Sequence, residues 1–131
     1  FMPDLGYPRL TSGDPERDQW VDATLSHNTV MVNEKSQNGL VEPRGRIRHF
    51  DDDGMVALMD VSAPYIYDET EEYRRSVVTI RNDDETSYTV DFFRIIGGDS
   101  HTYSFHASSD SIAETKGLEF DLRARCLYYA G

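Results

Sequence analysis

Two residues near the front of the chain have side chains of the kinds that hold metal ions. Asp4 sits in a Pro3-Asp4-Leu5-Gly6-Tyr7 turn, and His27 sits in Ser26-His27-Asn28-Thr29, directly ahead of the apolar run Val30-Met31-Val32-Asn33. A tight turn and a strand start each fix the direction of a side chain, so a carboxylate and an imidazole placed this way can meet at one divalent cation. Two ligands are half of a zinc site. The everyday alternatives stay open: in a Pro-Asp-x-Gly turn the carboxylate bonds its own backbone, and a polar-loop histidine is commonly a hydrogen-bonded structural residue.

Other constellations point to weaker chemistry. His101 and His106 differ by an odd number of positions, so on an extended strand they face opposite ways and cannot chelate one ion without a bulge. Asp51-Asp52-Asp53-Gly54 invites a calcium reading, yet a twelve-residue calcium loop needs glycine sixth and glutamate twelfth. Counted from Asp51, Val56 is sixth and Ser62 twelfth, so a hairpin turn is the better expectation. Arg44, Arg46 and Arg48 alternate and would share one face of a strand, with Arg74 and Arg75 in a hairpin able to neighbour them. Such a face can fork the carboxylates of a sugar acid, or simply pair with Asp and Glu on adjacent strands. The tyrosines, Tyr103 among them, offer surface on which sugars stack, and they also serve strand packing. His49, ahead of Phe50 and the aspartates, reads as a solvated strand end. No phosphate loop, nucleophile elbow or Cys-x-x-Cys is present, which removes nucleotide, serine-hydrolase and thiol-redox chemistry.

Composition narrows the partners. With 24 acidic against 13 basic residues the net charge is −11, so the long-range field repels nucleic acid and anionic membranes. A local arginine cluster can still hold an anion, because contacts at close range are less screened. No stretch approaches the length of about 18 apolar residues that a membrane span requires, and no signal-peptide pattern is seen. The single cysteine, Cys126, rules out an internal disulfide framework and reads as a small buried hydrophobe. The 131 residues suffice for one domain, 1–131, and the abrupt Phe1-Met2-Pro3 start suggests a piece of something longer.

The elements that must position these groups are strands. Residues 29–33, 55–61, 73–81, 87–96 and 102–107 are short and rich in β-branched or aromatic types, and Leu118-Glu119-Phe120-Asp121-Leu122 alternates as one more. Between them lie the turn clusters Ser36-Gln37-Asn38-Gly39, Asp51-Asp52-Asp53-Gly54, Asn82-Asp83-Asp84-Glu85 and Gly97-Gly98-Asp99-Ser100. Residues 73–81 and 87–96 form a hairpin across the third cluster. Tyr73, Arg75, Val77, Thr79 and Arg81 then share one face, and Arg74, Ser76, Val78 and Ile80 the other. With no amphipathic helix of useful length, the expected fold is all-β, an antiparallel β-sandwich.

The order of these pieces resembles a known family. Asp4-Leu5-Gly6-Tyr7, Trp20, Thr24, Ser26 to Asn33, Lys35-Ser36-Gln37, Ala63-Pro64-Tyr65, Arg75, Val90 to Gly98 and His101 to His106 look like the β-sheet region of heparinase II/III-like polysaccharide lyases. In that family an α/α toroid precedes a β-sandwich, and uronic-acid polysaccharides such as heparin, heparan sulfate or alginate are cleaved by β-elimination. A base takes the proton beside the uronate carboxylate while that charge is neutralised, without which the proton is too weakly acidic.

The resemblance implies a zinc ion held by an upstream His-x-His-x-Asp histidine, by Asp4 and by His27. It implies an acidic polysaccharide as partner and an upstream toroid carrying the catalytic groups, and the alternation and stacking arguments above make Arg46, Arg48 and Tyr103 the substrate-binding candidates. It also implies periplasmic or secreted placement. With one ligand and the catalytic groups expected outside these residues, the chain alone is expected to be inactive. The rival expectations are a carbohydrate-binding sandwich without chemistry and a purely structural one.

Overall fold

The computed structural model describes Gly13, Pro15 and residues 17–38 and 45–106. Asp4, Arg44, Cys126 and the alternating segment 118–122 lie outside the described residues. Six strands make up the described chain: β1 (Val30–Val32), β2 (Arg46–Asp52), β3 (Val56–Ser62), β4 (Thr70–Arg81), β5 (Ser87–Gly97) and β6 (His101–Tyr103). Short helical turns at Arg17–Val21 and Thr24–Ser26 accompany them. None is long and apolar enough to cross a membrane.

All strand pairings among the described residues are antiparallel. β2, β3, β4 and β5 form one sheet in that order, and β1 pairs with β6 in a second. The β4/β5 hairpin forms as expected, with Arg81 opposite Ser87 and Arg75 opposite Phe93. Its turn is fixed by Asp83, whose carboxylate accepts from the amides of Glu85 and Thr86 at 2.9 and 2.7 Å. The aspartate triplet also makes a hairpin, shifted along the chain: Asp51 and Asp52 belong to β2, and Asp53 accepts from Met55 and Val56. Serving as a turn acceptor is the reason this carboxylate titrates below its usual range, the Val56 amide contributing most.

The small sheet lies over the Tyr73, Phe93 and Ile95 side of the large one, giving the two layers of an all-β sandwich. Val30, Val32, Tyr67 and Tyr73 are buried between them, with Ala63, Ile66, Phe93 and Ile95 packed around. Alternation explains the choice of face, because Tyr73 is opposite Ile95 and Arg75 opposite Phe93, which places all four on one side. The rings meet tilted or edge-on, with Tyr73 5.7 Å from Tyr67 and 5.4 Å from Phe93 between centroids.

Three details differ from the sequence expectation. β1 stops at Val32 because Asn33 and Glu34 both take left-handed backbone (φ 52° and 57°), returning the chain so that Lys35 donates to the Val32 carbonyl. β6 stops at Tyr103, short of residue 107, so the odd-spacing argument for His101 and His106 rests on separate locations and not on one strand. β2 is a full strand where propensity marks none. Every residue of it is exposed, so no burial pattern marks it in the sequence.

Candidate functional site

The segment Ser26-His27-Asn28-Thr29 is held from three directions. Tyr73 donates its hydroxyl hydrogen to the Val30 carbonyl at 2.7 Å, and its oxygen lies 2.9 Å from Thr29 Oγ1 and accepts from Gln37 Nε2 at 3.2 Å. Arg75 donates from Nη1 to the Asn28 carbonyl at 2.9 Å. The His106 amide donates to Asn28 Oδ1, and His106 Nε2 donates to the Leu25 carbonyl at 2.8 Å. Since a carbonyl accepts only, this ring nitrogen carries its hydrogen. Trp20 packs edge-on against the same imidazole at 6.2 Å. His27 itself is half-buried, and its amide donates to the Thr24 carbonyl at 3.1 Å. Its backbone is thereby positioned by neighbours on β1, β4 and the segment following β6.

Behind Arg75 stands a second layer of support. Asp91 accepts from Arg75 Nε at 3.0 Å and from Nη2 at 2.8 Å, a two-point fork. Tyr103 donates its hydroxyl hydrogen to Asp91 Oδ2 at 3.0 Å, and the guanidinium carbon lies 5.0 Å above the Phe93 ring. The Asp91 hydrogen bonds raise the Arg75 pKa further, while burial and the bond to Asp91 raise that of Tyr103. Arg75 is therefore a fixed cation between the layers. Beside it a cleft of about 160 Å³ opens, walled by Val61, Ala63 and Phe93, with Thr29 and Tyr73 at its polar end.

The residues expected to form the site are only partly brought together. His27 and Tyr103 are linked through the Asn28–Arg75–Asp91 chain. Arg46 is opposite Ser62, which is opposite Arg74, so it stands on the other face of the large sheet from Arg75. Arg48 lies at the bulge between Ile47 and His49, and its charge reaches Asp60 on that same outer face. Tyr103 and the Arg46/Arg48 pair thus occupy opposite faces. His101 Nε2 bonds the Gly97 carbonyl at 2.8 Å, which ties down the β5–β6 connection at a place distinct from His106. Among the described residues no group of three or more His, Cys, Asp or Glu side chains could hold a metal.

Sequence reading had not singled out two positions that matter here. Asp91 gives no signal beyond its place in a strand. Arg94 was discoverable, since the hairpin turn at residues 82–86 places it opposite Arg74.

An antiparallel sandwich in which an aromatic, cation-braced seam supports a polar His-Asn-Thr segment is the class that fold and site define. The chain belongs to the heparinase II/III-like C-terminal domain family, whose model matches residues 1–123. No curated protein and no solved structure matches it.

Proposed function

We propose that this chain is the β-sandwich portion of a heparinase II/III-like polysaccharide lyase that cleaves uronic-acid polysaccharides of the heparin, heparan sulfate or alginate type. In the reaction a base removes the proton beside the uronate carboxylate, and the electron pair forms a carbon–carbon double bond. The glycosidic C–O bond breaks, and an acid protonates the leaving oxygen. The groups that move these protons belong to an upstream toroid domain of the parent protein. This chain supplies Asp4 and His27 as two zinc ligands, a third ligand, a histidine, coming from upstream, together with one wall of the substrate cleft. Zinc in such a donor set supplies a fixed positive charge and ties chain segments together.

The observation that carries the reading is the bracing of residues 26–29 by Tyr73, Arg75 and His106. A loop histidine with no role beyond the surface has no need of three long-range restraints on its neighbours, whereas a ligand must be presented in one direction. The test is elemental analysis of zinc in the intact parent protein, beside release of unsaturated uronate followed by ultraviolet absorbance. Replacing His27 by Ala is expected to abolish stoichiometric zinc. Full zinc retention in that variant would refute the assignment of His27.

A further inference from the structure

The large sheet has a second face, turned away from β1 and β6. On it Arg46, Ser62, Arg74 and Arg94 stand directly opposite one another across β2, β3, β4 and β5. With neighbouring strands about 4.8 Å apart, the row spans about 14 Å from Arg46 to Arg94. Arg48 joins it from the bulge. Phe92, two residues from Arg94 on the same face, is 59% exposed.

Two of these guanidiniums are held in place without being used up. Asp60 accepts from Nε and Nη2 of Arg74, and Glu72 accepts from Nε of Arg94 at 2.7 Å. An arginine has five N–H donors, so Nη1 of Arg74 and both terminal nitrogens of Arg94 keep hydrogens without a partner among the described residues. Arg46 and Arg48 form no ion pair among the described residues. Four guanidiniums therefore face two carboxylates, a local positive excess on a chain of net charge −11.

We propose that this row is a binding site for an acidic polysaccharide strand, separate from the His27 segment and on the opposite face of the sheet. Guanidiniums at intervals across the strands suit a polymer whose acid groups are spaced by sugar rings, and exposed Phe92 offers an apolar surface for a ring face. The strongly negative remainder of the chain disfavours phosphate-dense nucleic acid. The inference goes beyond the lyase reading: the row holds the polymer away from the place where it is cut.

The test uses the intact parent protein carrying His27→Ala, titrated calorimetrically with alginate and with heparin, with neutral dextran and duplex DNA as comparisons. Arg46→Ala combined with Arg94→Ala is expected to weaken binding of at least one acidic polysaccharide about tenfold and to flatten its salt dependence, with dextran unbound. Arg46→Glu alone, at an exposed position of β2, is expected to weaken binding without altering the fold. Unchanged affinity in both variants overturns the proposal. So does the absence of binding to either acidic polymer, or equal loss of DNA binding at equal starting affinity. Failure of the zinc reading would appear in metal content, which these arginine variants leave untouched.

Discussion

Arg75 Nη1 and the carbonyl oxygen of Asn28 meet at 2.9 Å although 47 positions separate them in the chain. This contact fixes the Asn28–Thr29 peptide, one residue beyond His27, and Arg75 is in turn fixed by the two-point fork to Asp91. Replacing Arg75 by Ala leaves Asp91 partly buried with its charge uncompensated. A loss of about 2–4 kcal/mol in urea unfolding is expected. Arg75→Lys should recover little of it, because a single ammonium cannot reproduce the fork and the backbone bond together. Full recovery by lysine would show that charge alone matters.

The Tyr73 hydroxyl joins the two sheets at the same seam. Tyr73→Phe keeps the buried ring and removes the bonds to the Val30 carbonyl, Thr29 and Gln37. A buried carbonyl without its donor costs about 1–3 kcal/mol, so a fall of that size in unfolding free energy is expected. Amide exchange should quicken most around residues 28–30.

Glycine is required at the β5–β6 connection for a reason of space as well as of backbone. A Cβ on Gly97 (φ 99°) would lie 2.2 Å from the Glu69 carbonyl oxygen, and one on Gly98 (φ 79°) 2.4 Å from Val32 Cγ1. Gly54 has a similar φ of 85° with nothing within 4 Å. Gly54→Ala is expected to cost about 1 kcal/mol of backbone strain alone, while Gly97→Ala costs several times as much or prevents folding. Equal thermal midpoints for the two variants would contradict this.

Acid should loosen the outer face of the sheet. The hydrogen bond from Arg74, joined by those from Ser76 and the charge of Arg48, lowers the Asp60 pKa below its unfolded value. A group of this kind stabilises the fold above the unfolded carboxylate pKa of about 3.9 and loses that contribution as the pH falls through its folded value. The urea midpoint of the wild type is expected to drop between about pH 5 and about pH 3. Asp60→Asn should show a shallower drop, the remainder arising from Asp53, Glu69 and Asp83, which are also lowered.

What could be foreseen from sequence was whatever depends on local pattern. The β4/β5 hairpin, the glycine turn at 97–98 and the all-β class follow from alternation and turn chemistry. Strand β2 was hidden because both of its faces are exposed, so its residues carry no burial period. The left-handed Asn33-Glu34 pair was hidden too, since glutamate rarely takes that conformation. It is stabilised from a distance, where Asn33 Oδ1 accepts from the amides of Asp99 and Ser100 at 2.7 and 3.1 Å. The separation of Tyr103 from Arg46 could not be read either, because it depends on which sheet β6 joins and on a bulge in β2.

That bulge has a consequence for the chain among its own copies. Among the described residues β2 is an outer strand of the large sheet, with Ile47 72% and Phe50 66% exposed along it. An unbroken outer strand of this kind would accept another strand and let copies add side by side without end. The register shift between Ile47 and His49 interrupts the row of outward amides, and Arg46 and Arg48 set like charges against any identical strand approaching it. Among the described residues, the same irregularity that carries Arg48 to the outer face disfavours the addition of a second copy at this side of the sheet.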